Sequence, residues 1–155
     1  MHFKLNSLNL EIAIQARKEH NFNLAKRHLE QNLGCITDDQ GQGGATRGGG
    51  GLISHISDIN FNNPSLVLST DKANCLRHSA KLVYVLPPTE SASHHNKMVA
   101  VQVLCGIAYK GLQSTESPDL WNISAKSFNT LSKWLKKNPQ LMDPDVVSST
   151  QGKYF

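Results

Sequence analysis

Few residues of this chain are arranged as reacting groups usually are. His94-His95 stand side by side in the polar stretch Thr89 to Asn96. A histidine pair invites a metal, but no other ligand lies at a fitting spacing, so two exposed loop histidines are expected. Cys35, Cys75 and Cys105 fall forty and thirty residues apart, in an odd number and without a CxxC spacing. That pattern suits reduced thiols of a cytosolic or nuclear protein better than a metal site or a disulfide framework. No pair among the twelve acids stands out for acid–base work, and no GxSxG or HExxH occurs. The glycine loop, strand lysine and paired aspartates of a kinase are missing as sequence patterns too. The expected inventory is therefore empty: no catalytic residue, no cofactor-binding residue, no metal ligand, no cofactor, and a chain that is not itself an enzyme.

Phosphate binding has two further candidates. Arg47 followed by Gly48 to Gly51 resembles a single unit of an RNA-binding Arg-Gly-Gly segment. It is no phosphate cradle, because no Lys-Ser or Lys-Thr follows and no helix is expected to start there. The sixteen Lys and Arg give a net charge of +4 and are scattered, with no run longer than Lys136-Lys137. Solvated helix faces explain that distribution better than a nucleic-acid footprint.

The elements around these residues read as helices. Ala16-Arg17-Lys18-Glu19-His20-Asn21-Phe22-Asn23-Leu24-Ala25-Lys26-Arg27-His28-Leu29 is the corner of a helical hairpin. The first helix, 5–18, has Leu5, Leu8, Ile12 and Ala16 at helical steps, with Leu10 and Ile14 widening the stripe. In the second, Phe22, Ala25, Leu29 and Leu33 share one face, Asn21 can cap the start, and Gly34 suits the stop. These residues form a hairpin over 1–34. Seven of the eleven glycines then sit between Gly41 and Gly51. Too few side chains remain there to repay backbone entropy, so 35–65 is expected to be a flexible, disordered linker. Leu52, Ile53 and Ile56 suggest a short turn at most.

A helical repeat segment is expected over 66–138. Ser69-Thr70-Asp71 opens a helix whose stripe is Ala73, Leu76, Ala80 and Val83, and Pro87-Pro88 stops it. Lys97 to Gly111 suits a strand by its Val content, yet the run is long and keeps helical steps, so a central helix is expected, with Gly106 admitting a neighbouring backbone. Ser117-Pro118-Asp119 opens the last helix. Trp121, Ala125, Phe128, Leu131 or Ser132, and Leu135 would be its buried face, with Trp134 beside it and both tryptophans in the core. Asn138-Pro139 ends it, and 139–155 reads as a disordered tail. No signal peptide or membrane-spanning run appears. Asn122-Ile123-Ser124 carries no weight as a glycosylation acceptor in a non-secreted chain, and Thr150-Gln151 is a chance-level match to a kinase site. One hairpin cannot bury its apolar face alone, so the fold class is all-α, with antiparallel helical hairpins stacked as an α-solenoid of tetratricopeptide-like repeats.

Three blocks carry a family resemblance: the Ala16-Arg17-Lys18 to Leu29 hairpin, Lys81-Leu82-Val83-Tyr84, and Ala125-Lys126-Ser127 with Thr130-Leu131-Ser132-Lys133-Trp134-Leu135. Together they resemble the FAT region, the helical solenoid before the catalytic domain of the phosphatidylinositol-3-kinase-related protein kinases. The match covers 5–34 and about 72–137, and is best with the branch acting in nonsense-mediated mRNA decay. The glycine-rich insert and the Pro87-Pro88 to His95 stretch depart from it. The resemblance implies a scaffold segment without a kinase domain, cytoplasmic and with the nucleus as a second compartment. Its partners would be the rest of the kinase and its regulatory subunits, with no nucleic acid and no membrane. A stand-alone repeat adaptor for protein or RNA is the alternative.

Overall fold

The computed structural model describes residues 2–38, 51–86, 93–113 and 117–142. Among these every regular element is helical: α1 (His2–Lys18), α2 (Phe22–Asp38), α3 (Gly51–Ser57), α4 (Thr70–Val85), α5 (Ser93–Gln113) and α6 (Pro118–Lys137), closed by a 3₁₀ turn, Pro139–Met142. Val99 to Tyr109 lies within α5, so its periodicity decides over its strand-like composition. α1 packs on α2, α4 on α5 and α5 on α6, each against its neighbour in sequence. α2 meets α4 and thereby joins the hairpin to the rest. The hub is α4 rather than the expected α5. It touches α1, α2, α3, α5 and α6, and buries Lys72, Cys75, Ser79 and Leu82 in addition to Ala73, Leu76, Ala80 and Val83.

The hairpin corner forms as its residues require. The N–H of His20 bonds to the Arg17 carbonyl and that of Asn21 to the Ala16 carbonyl. This is the double hydrogen-bond pattern that closes a helix through a left-handed residue, and here that residue is His20, at φ 61°. Asn21 Oδ1 then accepts the Leu24 N–H at 3.3 Å and caps α2. Ala25, Leu29 and Leu33 are buried as expected, but the stripe of α1 is only partly so: Ala16 is buried, Ile12 half-buried and Leu8 52% exposed, and Asn9 and Ala13 face inward instead. Small residues at the contact let the two helices approach, and Asn9 Oδ1 meets His28 Nδ1 at 3.0 Å across it. α2 also runs on through Gly34 to Asp38.

Three further expectations change. The linker expected over 35–65 is not wholly unstructured: α3 buries Leu52 and Ile56, and Phe61 and Leu68 join the core after it. Glu30 Oε1 holds the start of α3 by accepting the Leu52 N–H at 2.9 Å, and Lys110 Nζ donates to the Asn63 carbonyl at 3.2 Å. These few apolar residues are enough to anchor that stretch against α4 and α5. The run Gly41 to Gly50 lies outside the described residues, as do Pro87-Pro88 and 143–155. The tail expected from 139 begins instead with the 3₁₀ turn, whose Leu141 is buried.

The last correction is a rotation of α6. Its buried residues are Leu120, Ile123, Ser124, Ser127 and Leu131, while Trp121 is 47% and Phe128 36% exposed and Ala125 is exposed. Serine is small enough for close helix contact, and each hydroxyl is satisfied: Ser124 Oγ donates to the Ala108 carbonyl at 2.6 Å, and Ser127 Oγ to the Ile123 carbonyl at 2.8 Å. Gly111 fits the same seam, because a Cβ there would sit 2.9 Å from the Leu120 carbonyl oxygen. Trp134 stacks on Tyr84 with ring centroids 3.9 Å apart, and Tyr84 also pairs with Asn138. Ser69 and Ser117 cap α4 and α6 as their positions foretold.

Candidate anion-binding site

The residues with unusual chemistry are basic, and three helices bring them together. α1 ends in Arg17-Lys18, α4 carries Arg77, His78 and Lys81, and α6 supplies Lys126 and Lys133. Arg77 and Lys81 are four residues apart, hence on one face of α4 one turn apart. The hairpin corner matters here because the left-handed turn at His20 fixes where α1 ends, and α1 meets α4 directly.

Burial and mutual repulsion act on these groups together. Lys81 is pushed down to about 8, first by burial and then by Arg17, Arg77, Lys18 and Lys133. His78 is pushed down to about 3 by burial, followed by Arg77, Lys81, Arg17 and Lys126, so its imidazole is neutral at physiological pH. Both guanidinium groups are also lowered, Arg17 by burial and Arg77 by burial and by Arg17. The charges that act on Lys81 and His78 are thus all positive among the described residues. Arg17 Nε, Arg77 Nε and His78 Nδ1 are buried and have no hydrogen-bond partner among the described residues. A buried polar group left unsatisfied costs about 1–3 kcal/mol, and like charges held together add to that cost. An anion with several oxygens that met the Nε–H groups would relieve both terms at once, since it accepts hydrogen bonds while neutralising the cluster.

In sequence these residues do not stand out. Arg17, Arg77 and Lys81 look like ordinary members of solvated faces, and only the approach of α1 to α4 turns them inward. A faint signal lies between Asp71 and Glu90, where Lys72, Arg77 and Lys81 have no acid among them.

The residues that invited other chemistry remain apart. His94 and His95 belong to the first turn of α5 rather than to a loop, because the helix starts at Ser93, and His95 is exposed. Among the described residues no three His, Cys, Asp or Glu side chains are grouped to hold a metal ion. Cys75 is buried and pushed up to about 12, chiefly by burial, and Cys105 to about 11 by burial. These are unreactive thiols, and the Cys35 side chain and Arg47 lie outside what is described. No helix among the described residues is long and apolar enough to cross a membrane. No family model, no curated protein and no solved structure matches this chain.

Proposed function

We propose that this chain is a non-catalytic helical scaffold that holds a small, multiply charged anion of the phosphate type between α1, α4 and α6. The observation that supports the reading is the set of three buried nitrogens, on Arg17, Arg77 and His78, that lack partners among the described residues and lie in cationic surroundings. An anion bound there ties the hairpin corner to the hub helix and so acts as a structural clamp. In the wider setting implied by the resemblance, the chain is a segment of an α-solenoid that supports the catalytic domain and regulatory subunits of a serine/threonine kinase of nonsense-mediated mRNA decay. Packing of each helix on its sequence neighbour supports the solenoid reading. A kinase domain in the same reading frame beyond Phe155 would support the kinase setting, and a coding sequence that stops there would count against it.

Titration of the full chain with orthophosphate, pyrophosphate and tripolyphosphate, followed by calorimetry and thermal melting, tests the anion site. Stabilisation grows with ligand concentration, reaching about 2.7 kcal/mol at a hundredfold excess over Kd. Arg17→Gln and Arg77→Gln each abolish the gain, while Lys136→Gln leaves it. A melting temperature indifferent to all three anions defeats the proposal. The adaptor reading draws on the same cluster but makes the occupant an RNA backbone. Under it, binding to a single-stranded RNA falls steeply with salt, and the short polyphosphates compete weakly.

A further inference from the structure

Lys81 differs from the cluster's other lysines, Lys18, Lys126 and Lys133, in being half-buried where they are exposed. Its amine is not sealed from solvent, and it lies one helical turn from Arg77 on α4, the helix against which α1 with Arg17 packs. Arg17, Lys18, Arg77 and Lys133 all act on it with the same sign. The cluster therefore combines a docking place for a phosphoryl group with an amine beside it. We infer that Lys81 is an acyl-acceptor lysine, modified by acyl phosphates whose phosphoryl group docks on Arg17 and Arg77 while the carbonyl carbon is presented to Nζ. The inference rests on the anion site proposed above.

The step balances without another reactant. The neutral amine's lone pair attacks the acyl carbonyl carbon, the bond from that carbon to the phosphate oxygen breaks, and the amine's proton leaves with the phosphate as hydrogen phosphate. The product is an amide at Lys81 and free phosphate. Two features favour this amine. Burial, the largest cause of its lowered pKa, persists when the phosphoryl group docks and keeps part of the amine neutral near neutral pH, where an ordinary lysine is almost wholly protonated. The guanidinium pair also stabilises the departing phosphate, in which negative charge develops. Acylation removes one positive charge one turn from Arg77, so it weakens the site's hold on the anion. The modification is then a switch on the clamp, with the anion as its natural protectant.

Incubation of the full chain with acetyl phosphate near neutral pH, followed by peptide mass spectrometry with time, tests this. Acetylation at Lys81 is expected to run about tenfold faster than at Lys136 or Lys137. The lowered pKa raises the neutral fraction on the order of a hundredfold, while the weaker base loses part of its nucleophilicity. Orthophosphate in excess slows Lys81 and leaves Lys136 unchanged. Arg17→Gln and Arg77→Gln, each checked for native circular dichroism, slow Lys81 with acetyl phosphate more than with an uncharged acetylating ester. Equal rates at Lys81 and Lys136, or a Lys81 rate indifferent to orthophosphate, overturn the inference. Calorimetric phosphate binding without preferred Lys81 acetylation sinks it and leaves the anion site standing, whereas absent phosphate binding removes both.

Discussion

Gly106→Ala gives the sharpest test of how the stretch after the glycine-rich segment is packed. A methyl at this position would lie 2.8 Å from Phe61 Cδ1 and closer still to Cγ and Cδ2, distances that no carbon pair tolerates. The obstruction is the root of a ring and not the tip of a flexible chain, and Phe61 is itself part of the buried core. Two effects oppose each other. In an open helix interior, Gly to Ala stabilises by about 1 kcal/mol. Forcing an extra methyl into a filled core costs about 1–3 kcal/mol. The clash should win, for a net loss of about 1 kcal/mol. Urea unfolding followed by far-ultraviolet circular dichroism reads the difference. Phe61→Leu, which shortens the ring's reach, should be costly on its own and nearly neutral when combined with Gly106→Ala, giving a coupling of about 1 kcal/mol between the two sites. If Gly106→Ala instead raises stability by about 1 kcal/mol, and the two changes simply add, Phe61 does not sit against α5. The segment would then be the free linker that its composition suggests.

Other outcomes follow from the same packing and charges. Trp134→Ala, which removes the ring stacked on Tyr84, should cost about 3 kcal/mol, while Phe128→Ala, a partly exposed ring set edge-on to Tyr109 at 5.6 Å, should cost about 1 kcal/mol in the same urea assay. Comparable losses would contradict the observed rotation of α6. Because His78 titrates at about 3 in the fold against 6.5 ordinarily, the unfolded chain binds more protons between these values, so the contribution of His78 to stability is complete above pH 6.5 and is lost as pH falls toward 3. The urea midpoint of the native chain should therefore drop relative to that of His78→Gln across that range, and parallel curves would refute the assignment. Cys75 and Cys105, held near 12 and 11, should resist iodoacetamide at neutral pH until the chain is unfolded, as peptide mapping would show.

Local chemistry made much of this fold legible in advance. The hairpin corner, the caps at Asn21, Ser69 and Ser117, the proline start of α6 and the inner stripe of α4 all follow from contacts within a few residues. Such contacts depend on residue type and spacing alone. Apolar periodicity likewise sufficed to make Val99 to Tyr109 helical. What sequence could not reveal is which face α1 and α6 turn inward, because that is decided by the partner. Leu8 and Trp121 are large and apolar yet face outward, while Ala13, Ser124 and Ser127 occupy the seams, since helices approach most closely where side chains are small. A buried hydroxyl can satisfy itself on a nearby carbonyl, so a serine stripe reads as polar in sequence and still packs as core. Phe61 is another case: its place in the core depends on Gly106, which is distant in the chain. The basic cluster belongs to this second class. Arg17, Arg77, His78 and Lys81 are ordinary in sequence, and only the packing of the helices half-buries them, sets like charges together and leaves Arg17 Nε, Arg77 Nε and His78 Nδ1 in need of a partner.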